Sequence, residues 1–289
     1  MNDVDLEQDT HYGYRGQARE LAVFIDSASY FSALNAAIAG AKRRILIVGW
    51  SLDDRIRLVR GDAGERTLGE LLVDRARENP SLRIQLRIWL APAVFAADQH
   101  ITSWFEGEAR KLANLDLVRV PAESAFAARH EKYVIIDDAL AWLGGIDLSH
   151  SRWDTADHRG INPARINPDG ESYVPYHDIQ IMFTGPMVRE LFTVAVRDGL
   201  IHDDWDPPAD SGIRRALWPS SVPVDLRDEE LLLSFTRSYP DSTSDDETDD
   251  EVYVQHISHL YRDLVYAAET RIYIENQYFS SDEITEALI

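Results

Sequence analysis

At 289 residues, with 45% hydrophobic and 27% charged positions, the chain has the make-up of a globular protein with one large or two smaller domains. Its net charge, 29 − 50 = −21, disfavours a polyanionic partner such as nucleic acid and passive docking on strongly anionic membranes. Cysteine is absent, which excludes disulfides and thiolate metal sites; with no basic-apolar leader and no apolar run near the ~20 residues of a membrane span, a cytoplasmic chain is expected.

Residues 21–25 read as a strand, and Ser27 as the N-cap of a helix with Phe31, Leu34 and Ile38 at helical spacing up to Gly40. Arg43 and Arg44 lead into an apolar strand at 45–48. Leu68, Leu71, Leu72 and Ala76 form the stripe of a helix over 68–77. Ile84, Leu86, Ile88 and Leu90 alternate with Arg83, Gln85, Arg87 and Trp89, the pattern of a half-buried strand. A helix at 104–112 and a strand at 115–120 follow.

Residues 133–136 are β-branched or aromatic, Asp137 and Asp138 supply a turn, and 140–143 is a second short strand ending at Gly144 and Gly145. Polar residues 151–175, with Gly and Pro at intervals, read as a long surface loop. A strand at 179–183, a turn at Thr184-Gly185-Pro186 and a helix at 187–196 come next. Strands alternating with helices predict an α/β sandwich around a mixed sheet. Seven of the eleven residues 241–251 are acidic, which reads as a solvated linker because a block of like charge repels itself. Asp203, Asp204 and Asp206 invite a metal site, but a local run of acidic residues does not by itself define a coordination set, and the metal reading is set aside.

The chemistry concentrates at His130-x-Lys132-x4-Asp137. The chain uses lysine three times only (Lys42, Lys111, Lys132) against 29 − 3 = 26 arginines, so a lysine here stands out from the habit of the sequence. Residues i and i+2 of an extended segment share a face, so His130 and Lys132 address one pocket. A neutral imidazole can attack an electrophile, and a compact ammonium can hold an anionic oxygen.

His130-x-Lys132-x4-Asp137, followed by Gly144-Gly145-Ile146-Asp147-Leu148 and Arg152-Trp153-Asp154, resembles the first catalytic motif of the phospholipase D superfamily. The resemblance favours the phosphatidylcholine-hydrolysing members over the nucleases. It extends to residues 45–61 (ILIVGWSLDDRIRLVRG), 68–79 (LGELLVDRAREN), 176–188 (YHDIQIMFTGPMV) and 271–279 (RIYIENQYF), all in family order. Where an Arg-Trp-Asn signature would follow, this chain has Arg197-Asp198-Gly199, which leaves that helix end without an assigned role.

The resemblance implies a phospholipase D-like α-β-α sandwich with a mixed β-sheet: a first lobe at 1–240, an acidic linker at 241–251 and the start of an incomplete second lobe at 252–289. It implies a phosphodiesterase that hydrolyses or transphosphatidylates phospholipids at a membrane surface through a phosphohistidine, with no cofactor, no metal and no nucleic-acid partner. His130 would be the nucleophile, Lys132 the phosphate-oxygen ligand and Asp178 the group orienting His130. Asp137 completes the motif, although its place in the turn suits a structural duty. Gly144 and Gly145 would let backbone approach the phosphate, with Asp147, Arg152 and Trp153 lining the substrate. Asp147 stands where many superfamily members carry asparagine, and is expected to pair with Lys132 or Arg152. Trp50 and Trp153 suit either a substrate wall or the core.

Residues 41–47 and 268–274 share Ala, Arg, Ile and Ile at the same offsets, each after a helical stretch and leading into a strand (45–48 and 272–274), as the two-lobed family would require. The chain would then supply half of a site, completed by a second lobe of the same protein or by a second copy. Phosphatidyl transfer in phospholipid synthesis, and a non-catalytic phosphate-binding or scaffold role, are the alternatives.

Overall fold

The computed structural model describes residues 6–61, 66–90, 99–121, 129–202, 217–240 and 251–289. The acidic stretch at 241–250 and Asp203, Asp204 and Asp206 lie outside them. The chain divides into one unit of Gln17–Glu229 and another of Met1–Gly16 with Glu230–Ile289.

In the larger unit the elements are β1 (Tyr14–Ile25), α1 (Ser27–Gly40), β2 (Arg44–Gly49), α2 (Leu68–Glu78), β3 (Arg83–Trp89), α3 (Ser103–Ala109), β4 (Leu115–Val120), β5 (Tyr133–Ile136), β6 (Leu140–Gly144), β7 (Ile179–Thr184), α4 (Met187–Arg197) and the start of β8 (Leu226–Leu233). The sheet runs β4-β3-β2-β5-β6-β7-β1-β8. Strand β2 is parallel to β3, and β3 to β4, whereas β2–β5, β5–β6, β6–β7 and β7–β1 are antiparallel. This is the expected α/β class, with a single large mixed sheet.

Every residue of β2 is buried, as its uninterrupted apolar run requires for a strand that joins the parallel and antiparallel halves. Helix α2 starts in a capping box: Thr67 accepts from the Glu70 N–H while the Glu70 carboxylate accepts from the Thr67 N–H. Strand β3 departs from its alternation, because Arg87 and Trp89 are buried as well. Arg87 pairs with Asp116 at 2.7 Å and donates to the Leu200 carbonyl, so its charge is compensated rather than solvated.

Register decides which ends meet. Val48 faces Tyr133, Tyr133 faces Leu143, Gly144 faces Gln180, and Ile25 faces Ile179. The C-terminal ends of β1, β2 and β6 therefore share one edge of the sheet with the N-terminal ends of β5 and β7. His130 and Lys132, entering β5, arrive beside Gly49 and Trp50, leaving β2. Ligand sites favour the carboxyl ends of parallel strands, and β2 and β3 end at this edge.

Asp137 lies at the opposite end of β5. Its buried carboxylate accepts from the backbone N–H groups of Lys42, Arg43 and Arg44, at 2.7–3.1 Å. Asp138 beside it pairs with buried Arg44 at 3.0 Å. Asp137→Ala should strand three backbone donors at the entry to β2, a loss of about 2–4 kcal/mol to be read from urea unfolding at neutral pH.

In the smaller unit the strands β9 (Thr236–Pro240) and β10 (Glu251–Gln255) pair antiparallel, followed by α5 (His256–Ala267) and α6 (Asp282–Ala287). The Nε2 of His11 meets Asp263 Oδ2 at 2.8 Å. The helix expected before 268–274 is α5, but the strand expected at 272–274 does not form. Ile272, Tyr273 and Ile274 are exposed and find no neighbouring strand among the described residues, and a strand alone cannot satisfy its backbone groups.

Candidate active site

The site is built on a buried ion pair. Asp147, just past the β6 glycines, places Oδ2 at 3.2 Å from Lys132 Nζ, and the two side chains are 2% and 6% exposed. Its Oδ1 accepts from the N–H groups of Trp50 and Ser51 at 3.0 and 3.1 Å, which ties the end of β2 to the loop after β6. The expected pairing of Asp147 with Lys132 or Arg152 is thus made with Lys132. Burial pushes the Asp147 carboxyl up and the Lys132 ammonium down, and each partner only opposes the other's shift. Desolvation outweighs the attraction for both.

Lys132 also donates to the His130 carbonyl at 3.1 Å. An ammonium has three N–H donors, so among the described residues one remains for a further acceptor. A cavity of about 10 Å³ beside the pair, lined also by Tyr30 and Ser51, has room for a single water at most.

His130 is solvent-accessible, and its ring meets the edge of Trp50 at 6.0 Å between centroids. Trp50 in turn stacks on Trp89 at 5.6 Å, and Lys132 Nζ lies 6.0 Å from the Trp50 ring centre. Trp50 is therefore the wall that imidazole and ammonium share. Loss of solvent around the ring, then the nearby Lys132 charge, lowers the His130 pKa below its usual 6.5, while Asp147 and Asp178 pull it up. The neutral ring, the form that can attack, dominates at pH 7.

Asp178 stands at the entry to β7. Its carboxylate accepts from Tyr176 Oη and from the Ile179 N–H, both at 2.8 Å. The hydrogen bond expected from Asp178 to His130 is not formed among the described residues, so Asp178 acts on His130 through its charge. Gly145 makes room for this arrangement: a Cβ there would lie 2.3–2.6 Å from three atoms of the Asp178 carboxyl group. Gly145→Ala should displace Asp178 and cost about 1–3 kcal/mol. A crystal structure and a melting curve of the variant would check both. Gly144 is equally constrained, with a Cβ 2.4 Å from Gln180 Oε1 and the Ile179 carbonyl.

Arg152 lays its guanidinium over the Tyr176 ring at 5.0 Å and contributes positive potential at Lys132 and Asp147. Trp153 is buried in the core and faces the Arg60 guanidinium at 4.8 Å, which favours the packing reading of this residue over the substrate wall. The structure thus gathers His130, Lys132, Asp147, Asp178, Gly144, Gly145 and Arg152 at one edge and leaves Asp137 at the other. Tyr176 was not singled out by sequence. Its i, i+2 relation to Asp178 was the available signal, since extended residues at that spacing share a face.

Fold and site together define a mixed-sheet α/β protein whose ionisable groups gather around His130 and Lys132. The family model for phospholipase D matches residues 37–199, more than half of the chain, and the chain belongs to that family. Phospholipase D2 of Bos taurus is 32% identical over 206 residues, which span 68% of this chain and 21% of that protein. Phospholipase D1 of Saccharomyces cerevisiae is 26% identical over an alignment spanning 90% of this chain and 18% of that protein. The chain therefore spans about a fifth of the length of these relatives. Among solved structures, phosphatidylserine synthase of Haemophilus influenzae Rd KW20 is 13% identical with a TM-score of 0.49, over 92% of this chain and 58% of that one. NucT of Helicobacter pylori is 12% identical with a TM-score of 0.41, over 62% and 94% of the two chains.

Proposed function

We propose that this chain carries the nucleophilic half of a phospholipid phosphodiesterase. The observation that supports it most is the meeting of a neutral, accessible His130 with a buried Lys132 ammonium on one Trp50 wall. His130 attacks phosphorus, the P–O bond to the headgroup breaks, and a phosphatidyl-histidine forms. Lys132 gives its remaining N–H to a non-bridging oxygen, where negative charge grows in the transition state. Asp178, held by Tyr176, favours the positive charge that the ring acquires on attack. Water then attacks the adduct and releases phosphatidic acid; an alcohol in its place gives phosphatidyl transfer.

The departing headgroup alkoxide needs a proton. A second imidazole suits that task near neutral pH, and no other imidazole contacts His130 among the described residues. We assign it to a second lobe of a longer protein, or to a second copy of this chain at the membrane surface. The negative charge of the chain favours a zwitterionic phospholipid over a nucleic acid.

The test is product analysis on phosphatidylcholine vesicles. Release of choline with phosphatidic acid, diverted to phosphatidylethanol by added ethanol, is the expected result. Cleavage of plasmid DNA with no turnover of lipid would overturn the reading.

A further inference from the structure

Asp26 links β1 to α1 and occupies the N-cap position of the helix, yet its side chain caps nothing. An aspartate there ordinarily accepts from the first turn of the helix, a bond that stabilises by about 1 kcal/mol. Instead the backbone takes φ 63°, ψ 170°, a region costly for any residue but glycine, and aims the carboxylate at the 145–178 loop. There Oδ1 lies 2.7 Å from His177 Nδ1, and Oδ2 lies 3.2 Å from His158 Nδ1. The two rings meet edge to face at 4.8 Å. Asp26 is wholly buried, and beyond the approach of His158 its Oδ2 makes no hydrogen bond among the described residues.

From this geometry we infer that Asp26, His158 and His177 form a binding site for a divalent transition-metal ion of the zinc type. One carboxylate and two neutral imidazoles are the nitrogen and oxygen donors that such ions take, and a water completes the set on the solvent side. The three ligand atoms all lie within 4.8 Å of one another. Metal–ligand bonds of about 2.0–2.1 Å need them closer than that. Binding would draw in His158, whose side chain is 51% exposed, while His177, at 38%, already touches the carboxylate.

A second cluster, Asp53 with His100 and His150, has similar spacing but a different charge balance. Asp53 there already receives Nε and Nη2 of Arg55 at 2.9 and 2.8 Å, so a metal ion would add charge to a neutral pair. Asp26 has no guanidinium or ammonium partner among the described residues. An ion held by Asp26 would pin the 145–178 loop to the start of α1. It would also fix the backbone of Asp178, whose carbonyl accepts from the Asp26 N–H at 2.9 Å. The inference does not depend on the reaction proposed above.

The test is titration of the chelator-treated chain with Co²⁺ and Zn²⁺ at pH 7.5, followed by calorimetry, the visible absorption of Co²⁺ and the melting temperature. One equivalent is expected to bind, with Co²⁺ bands of a nitrogen-oxygen site and a raised melting temperature. His158→Ala and His177→Ala should each weaken binding about 100-fold or more, because even the outer partners of metal ligands matter by 10–100-fold. His150→Ala should bind within twofold of the parent. His158 is half-exposed, so its variant should melt like the metal-free parent, which separates loss of the site from loss of the fold. Absence of binding by the parent, full binding by His158→Ala, or loss confined to His150→Ala would each overturn the inference.

Discussion

His130→Ala is expected to abolish phosphodiester turnover, by a factor on the order of 10⁴ or more, while leaving the fold intact. The magnitude is that seen when the nucleophile or its base is removed from other covalent hydrolases. His130 is exposed and precedes β5, and such surface positions cost roughly 0.5 kcal/mol or less when truncated. The decisive measurement is the adduct. Labelled short-chain phosphatidylcholine should leave an acid-labile label on the parent chain and none on the variant; a label that survives His130→Ala would remove His130 from the nucleophile's role. The pH dependence carries an independent sign. Partial loss of solvent around the ring, then Lys132, lowers the His130 pKa, so attack should hold through pH 7 and fall only as pH drops through a value below 6.5. Asp178→Asn removes a charge that pulls this pKa up, and should move the acidic limb to still lower pH.

Much of this site was legible in the sequence because period-2 geometry and a rare residue coincided. A lysine two residues from a histidine at a strand entry is expected to share a face with it, and in the structure both groups lie against Trp50. The β4, β5 and β7 segments were readable for a related reason: their apolar runs are bounded by turn residues that end them. What sequence could not supply was register. That Trp50 would form the common wall follows from Val48 lying opposite Tyr133. That the Asp178 carboxylate would turn to Tyr176 and Ile179 rather than to His130 follows from the tight approach of Gly145. Asp26 was invisible for another reason: it reads as the last residue of a strand before a helix, and only its positive φ reveals that it turns away from the helix. The strand expected at 272–274 failed because local pattern cannot say whether a neighbouring strand exists to receive it.

Lys132→Met is expected to destabilise the fold by about 3–5 kcal/mol, since it leaves the Asp147 carboxylate buried with one oxygen unpaired. The double variant Lys132→Met, Asp147→Leu should recover part of that loss. Both charge-desolvation costs vanish together, but the Trp50 and Ser51 N–H groups lose the Asp147 acceptor, which costs about 1–3 kcal/mol each. Urea unfolding of the parent, the two single variants and the double variant closes a cycle that isolates the coupling. The same proteins separate structure from chemistry. If the ammonium serves only to neutralise Asp147, the double variant should fold and also react. If its third N–H grips a phosphate oxygen, the double variant should still fold yet form adduct on the order of 10²–10³-fold more slowly, the range for loss of one donor to a developing oxyanion. The buried position of the pair favours the second outcome. An ammonium desolvated against its own interest, and held by one carboxylate and one carbonyl, is already organised for an anion before that anion arrives.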